Sequence, residues 1–201
     1  MSERVKKIEG GARARARQAM RAEIAMGVIN LVLGRGYEQT TVDDICAATG
    51  ISRSTFFRYF SSKEEALLGG TMDAGERLLE ALTARPADET VWIAMRRALD
   101  PLIDIYEARD ERIFRLARLI ASTPALAARH REKNAQWHQI LRPEIARRLA
   151  ADPDDHTDPR PDAVIAAALG CVEAALAAWT AGDQPQALSA ILDQSMGAIQ
   201  S

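Results

Sequence analysis

Residues 49–60, TGISRSTFFRYF, constrain the fold more than any other stretch. A short apolar-periodic run over 42–49 stops at Gly50, and a second begins after Ser52 and ends near Phe60, with barely room for two turns. Gly50 permits the tight connection between them, and Ser52 offers an N-cap hydroxyl. Ile45, Ile51 and Phe56 are spaced to close a small shared core, and Cys46 is small enough for the second helix to cross over it. This pattern predicts a helix-turn-helix. Its second helix turns Arg53, Ser54, Phe57 and Arg58 outward, a row of charged and aromatic residues that is costly unless something outside the chain contacts it. A helix of this kind lays its N-terminal half against base edges in the major groove.

The remaining pattern is helical, with no alternating strand and no internal repeat. Ile24, Val28, Leu31 and Val32 recur at helical intervals and predict a first helix over 16–33, stopped by Gly34 and Gly36. Thr40 and Thr41 offer caps for the second helix, and Ser61 and Ser62 for a fourth over 63–84 with a bend at Gly69-Gly70. Helices follow over 89–108 with Pro101 inside, 111–121, 124–150 interrupted by Pro143, 162–181 and 185–199, and internal prolines predict kinks. The acidic, proline-rich segment DPDDHTDPRP at 152–161 reads as a loop. The expectation is an all-α chain of about nine helices: a helix-turn-helix DNA-binding domain over 1–62 and a larger helical domain over 63–201.

Charge supports the split. Residues 1–63 carry eleven Lys and Arg against six Asp and Glu, and the remainder fifteen against twenty-two, so the basic part coincides with the helix-turn-helix. Arg13, Arg15 and Arg17 precede it and admit two readings, a hydrated helix start or contact with phosphates and the minor groove, which salt-dependent affinity separates. Cys46 and Cys171 sit in apolar helical runs and read as buried thiols, and three histidines in no ligand spacing imply no metal. No run of about eighteen uninterrupted apolar residues is present, the nearest (164–179) being alanine-rich with Glu173 inside it, and the expected location is the cytoplasm.

The stretch GYEQTTVDDICAATGISRSTFFRYFSSKEEAL, residues 36–67, resembles the DNA-binding domain of the TetR family of bacterial regulators: the double threonine, the Gly-aliphatic-Ser turn, Thr55, paired aromatics, then Phe60 and Lys63. The resemblance implies that Arg53, Ser54 and Phe57 face bases while Thr41, Thr55, Tyr59 and Lys63 hold phosphates, with Arg58 either touching DNA or a solvated charge. The chemistry fits those roles. Arg53 can fork onto guanine O6 and N7, Phe57 can meet a thymine methyl, and Lys63 adds charge at a helix start. Phe57 stands where the family often has tyrosine, so that position offers phosphate no hydroxyl; Cys46 and Thr49 replace common alanines, and Val32 a common phenylalanine.

For the larger half the expectations are pairing and sensing. Small residues Ala166, Gly170, Ala174 and Ala177, with Leu169 as a larger knob, let helices approach closely, and TetR-like proteins dimerise through their last two helices, so a C2 homodimer is expected. Trp92, Met95, Leu99, Ile103, Tyr106, Phe114, Ile120, Trp137 and Leu141, with Arg118, are the candidate lining of an apolar ligand pocket between kinked helices. RIFRLARLIASTPALAARHREKNAQWHQILRPEIARRLA looks similar to the TetR subgroup with an acyl-CoA-like ligand-binding domain, which implies an acyl-type effector. Arg112, Arg115 and Arg118 then either meet its anionic groups or form a charged solvent face. No P-loop, nucleophile elbow, dinucleotide fingerprint or histidine constellation is present, so neither catalysis nor a cofactor is expected. The predicted function is a DNA-binding transcriptional regulator, a repressor that leaves its operator on binding an apolar or acyl-type small molecule; an architectural DNA-binding protein without an effector is the alternative.

Overall fold

The computed structural model describes residues 2–68, 72–108, 111–182 and 186–200, with their side chains apart from those of 2–14, 72, 73, 133 and 200. Among these residues there are eleven helical segments and no strand. The expected bend at Gly69-Gly70 lies outside the described residues, as do the side chain of Arg13 and the turn around Asp183.

The chain divides into two units, residues 1–71 and 72–201. The first holds α1 (Ser2–Arg35), α2 (Val42–Thr49), α3 (Arg53–Tyr59) and α4 (Lys63–Leu67). Helix α1 begins well before residue 16, because Ala, Arg and Gln upstream of the apolar stripe are good helix formers in their own right. Its buried stripe, Ile24, Val28 and Val32, shares a core with Ile45 and Cys46 of α2, Phe56 and Phe60 around α3, and Ala66 and Leu67 of α4. Helices as short as α2, α3 and α4 are marginal alone and stand only through this core and their caps. Thr41 and Asp44 form a reciprocal capping box on α2; Ser52 and Ser62 accept from the Thr55 and Glu65 amides at 3.1 and 3.2 Å. Gly50 ends α2 in the left-handed conformation, φ 69°, which only a residue without Cβ adopts freely.

The second unit holds α5 (Met72–Thr83), α6 (Val91–Ala98), α7 (Asp100–Glu107), α8 (Glu111–Ser122), α9 (Pro124–Arg148), α10 (Arg160–Ala181) and α11 (Leu188–Gln200). The helix expected over 89–108 is two helices: α6 ends at Leu99, and Pro101 sits in the first turn of α7, where the missing N–H has no intrahelical partner to lose. Pro101 is therefore a start signal, not an internal kink. Pro143 does lie inside α9, which continues past it. Helix α10 is long and apolar enough to cross a membrane by length and composition, with mean hydropathy 1.8 over its best window. Here it is the central helix, burying Ile165, Leu169, Val172, Ala175 and Trp179 against α6, α8, α9 and α11.

Arginines fix the ends. Arg148, with a side chain 2 % exposed, donates to the carbonyls of Leu82, Arg85 and Pro86 at 2.7, 2.8 and 3.0 Å while its Nε donates to Glu144 at 2.9 Å, joining the ends of α5 and α9. Arg142 pairs with Asp162 and donates to the carbonyls of Pro153 and Asp155, which ties down the acidic loop before α10.

Candidate functional site

Phe56 is fully buried while Phe57, its neighbour, is 48 % exposed, so the core fixes the rotation of α3 and with it the outward row Arg53, Ser54, Phe57 and Arg58. The Phe57 ring is braced edge-on by Phe56 at 5.4 Å, which holds an apolar surface upright in water. The Arg53 guanidinium lies 2.7 Å from Asp43 on α2 and 5.9 Å from the Phe57 ring centre. Ser54 shares a hydrogen bond with Ser52 at 2.9 Å, and Arg58 stacks over the Tyr59 ring at 5.3 Å. Base-directed and phosphate-directed candidates thus lie on one short helix. Asp43 is a residue that the sequence reading missed, because its pairing crosses the turn and has no local signature.

The other phosphate candidates are engaged within the unit. Lys63 donates to the carbonyls of Tyr37 and Thr40 at 2.9 and 3.1 Å and lies 4.0 Å from the Tyr37 ring centre. The Tyr37 hydroxyl donates to Glu64; burial and that carboxylate push its pKa up. Thr41 Oγ1 donates to Asp44 at 2.6 Å and accepts from the Asp44 amide, and Thr55 Oγ1 accepts from Ser52 at 3.0 Å. Arg21 donates to the Tyr59 carbonyl, to Glu65 at 3.4 Å, and lies 4.4 Å above the Phe60 ring. Thr41 and Lys63 thus hold the starts of α2 and α4, and Ser52 and Arg21 the two ends of α3.

The second unit contains a cavity of ≈ 210 Å³ lined by Tyr106 of α7, Ala117, Ile120 and Ala121 of α8, Ala127, His130 and Arg131 of α9, and Glu173, Leu176 and Ala177 of α10. Its wall is mainly apolar with four polar groups, the composition of a small-molecule site. Tyr106 packs edge-on against Trp179, and burial pushes its hydroxyl pKa up. Asn134 donates to Glu173 at 2.6 Å, which orients the one carboxylate on the wall. Of the residues expected to line a pocket, Tyr106 and Ile120 do so. Met95, Leu99, Ile103, Trp137 and Leu141 are instead buried in the core, and Trp92 and Phe114 pack onto it. Arg118, with Arg112 and Arg115, lies on the exposed side of α8 and does not reach the cavity, because their spacing puts them opposite Ala117 and Ile120. His130, Arg131 and Glu173 were missed; a lone carboxylate in the alanine-rich run of α10 was the available signal for Glu173.

Of the small residues on α10, Ala166, Gly170, Ala174 and Ala177 are exposed, while Leu169 turns into the core. The face they leave is built of small residues. Cys46 and Cys171 are both buried, and burial pushes both thiols up.

Known proteins share these features. Residues 29–68 match the family model described as bacterial regulatory proteins, tetR family, and residues 89–201 match the MftR C-terminal domain. The HTH-type transcriptional regulator TcmR of Streptomyces glaucescens is 32 % identical over 170 residues, covering 81 % of this chain and 74 % of its own. The transcriptional regulator MftR of Mycobacterium tuberculosis is 31 % identical over 153 residues, 75 % of each chain. Thermus thermophilus FadR, a TetR-family repressor solved in complex with lauroyl-CoA, shares the fold at TM-score 0.53 and 20 % identity, over 90 % of this chain and 93 % of that one. With a C-terminal match over more than half of its length and a helix-turn-helix match before it, the chain belongs to the TetR family of transcriptional regulators.

Proposed function

We propose that the protein is a homodimeric, ligand-responsive repressor of the bacterial cytoplasm whose α3 helices read an operator and whose effector occupies the α7–α10 cavity. The observation that carries this reading is the outward row on α3, where an arginine, a serine and a phenylalanine stand exposed beside a buried phenylalanine that fixes their direction. Arg53 and Ser54 supply donors for base edges, Phe57 an apolar surface for a thymine methyl, and Arg58 a cation for phosphate. The small exposed residues of α10, with exposed Ala190, Gly197 and Ala198 on α11, suit a two-fold four-helix interface. Such a dimer requires half-sites roughly 34 to 36 Å apart.

The effector is an apolar or acyl-type small molecule. Support comes from the cavity's mainly apolar wall and from the lauroyl-CoA in the FadR complex. At ≈ 210 Å³ the cavity takes a compact apolar group as it stands. The effector favours a conformation in which the two recognition helices no longer match the half-site spacing, and the operator is released by population shift.

The test is a fluorescence-anisotropy titration against the DNA upstream of the protein's own gene, with scrambled DNA as competitor, followed by an acyl and aromatic ligand panel on the complex. Binding that survives the competitor and is loosened by a panel member is expected. Binding with no sequence preference and no ligand response would instead identify an architectural DNA-binding protein.

A further inference from the structure

We propose that the N-terminal part of α1 is a second DNA-binding element, in which Arg17 grips a backbone phosphate flanking the groove that α3 enters; this rests on the base-reading role of α3. The partners of α1 change in order along its length. Arg35 reaches Asp44 at the start of α2 at 3.5 Å, a Cβ on Gly27 would lie 2.5 Å from the Thr49 methyl at the end of α2, and Arg21 reaches the Tyr59 carbonyl at the end of α3. Towards its N-terminus α1 therefore passes the recognition helix at the end opposite to the base-directed Arg53 and Ser54.

One further turn brings Arg17, on the same face as Arg21 and about 6 Å beyond it along the axis. Arg17 is exposed, as is Arg58 at the same end of α3, and neither has an ion-pair partner among the described residues, whereas Arg15, two residues away, lies on the opposite face of α1. Arg13, Arg17 and Arg21 recur at four-residue intervals in the sequence, a like-charge spacing that weakens a helix in water and that a polyanion relieves. Residue 17 also precedes the matched helix-turn-helix model, which begins at 29. Cations continuous with a reading face but outside it fit the sugar-phosphate backbone, which fixes register and gives affinity its salt dependence.

The experiment compares the full chain with an Arg17→Ala variant, and with Arg15→Ala as the control on the opposite face of α1, by anisotropy on a duplex extending beyond both half-sites, on a scrambled duplex of equal length, and at four salt concentrations. Alanine is a strong helix former, so α1 is retained, as circular dichroism verifies. The Arg17→Ala variant is expected to bind about tenfold more weakly at low salt, and the slope of log affinity against log salt is expected to fall by about 1.8, or about 0.9 for each of the two phosphates, one per protomer, no longer neutralised. The preference for specific over scrambled DNA stays as in wild type, Arg17→Lys restores the slope, and Arg15→Ala leaves it as in wild type. An unchanged slope and affinity of Arg17→Ala on both duplexes overturns the proposal, as does an equal loss in Arg15→Ala. If wild type shows no preference for the specific duplex, base reading by α3 fails, while the slope difference still reports on Arg17; no binding to either duplex overturns both.

Discussion

In the free chain Arg53 and Asp43 are paired at 2.7 Å with both side chains more than half exposed, so water competes for the pair and the arginine is easily released to a base. Arg53→Ala is expected to cost about 1 to 3 kcal/mol on a specific site and to leave the dimer intact, measured by anisotropy and analytical ultracentrifugation. Asp43→Ala removes both the competitor and a negative charge beside the DNA, and is expected to tighten the same site severalfold. Weaker binding by that variant would mean that Asp43 positions Arg53 for its base instead of withholding it. Ala150 is constrained by its backbone instead of its side chain. It follows the end of α9 with φ 52°, and the Ala151 amide bonds the Ala146 carbonyl at 2.9 Å, the arrangement glycine ordinarily serves. An L-residue there costs roughly 1 to 2 kcal/mol, partly offset by the freedom that glycine brings to the unfolded chain. Ala150→Gly is therefore expected to stabilise by about 0.5 to 1 kcal/mol in urea unfolding, and an unchanged midpoint would show that the turn adapts.

Among the elements, those with local signals were legible and those set by distant packing were not. The caps Thr41, Ser52 and Ser62, the stop at Gly50 and the outward row of α3 follow from neighbours in sequence, and the structure places them as read. The division at Leu99 was missed because Pro101 reads equally as a kink or as a helix start, and which it is depends on how α6 and α7 pack. The cavity wall was missed because any large apolar residue in a kinked helix looks like pocket lining, whereas burial of Met95, Leu99 and Leu141 is settled by helices far away in sequence. Gly75 shows how closely such packing can be set. A Cβ there would lie 2.7 Å from two atoms of the Trp137 indole, and Trp137 is 6 % exposed. Gly75→Ala gains helix propensity of roughly 1 kcal/mol but forces α5 and α9 apart, so a net destabilisation of about 1 to 3 kcal/mol is expected by thermal unfolding. A stabilised variant would show that the indole repacks freely.

At the scale of the whole molecule, α4 belongs to the compact unit of residues 1–71, and charge as well as packing holds it there. Helix α4 stays with the first unit because Lys63, Glu64 and Glu65 are tied to Tyr37, Thr40, Ser61 and Arg21. The same chemistry recurs in the second unit and sets its acid response. Hydrogen bonds from Arg85 and then Arg97 hold the Glu89 carboxyl at about 2, and a bond from Arg160 holds Asp158 at about 2. Arg147 and then Arg148 lower Glu144. Burial opposes ionisation of Glu64 and Glu65, but bonds from Tyr37 to the first and from Ser61 and Arg21 to the second outweigh it, and both are lowered. Each of these groups has a folded-state pKa below its unfolded value, so each favours the folded chain when ionised. For a glutamate the contribution is present above the unfolded value of about 4.5 and is lost as pH falls through the folded one. The melting temperature is therefore expected to be level from neutrality to about pH 5 and to fall steadily towards about pH 2. Glu89→Gln tests the assignment: it should lower the melting temperature at pH 7 and make the acid slope shallower, because a neutral amide has no charge for protonation to remove. A variant as stable as wild type at pH 7 with an unaltered slope would place the acid sensitivity on other carboxylates.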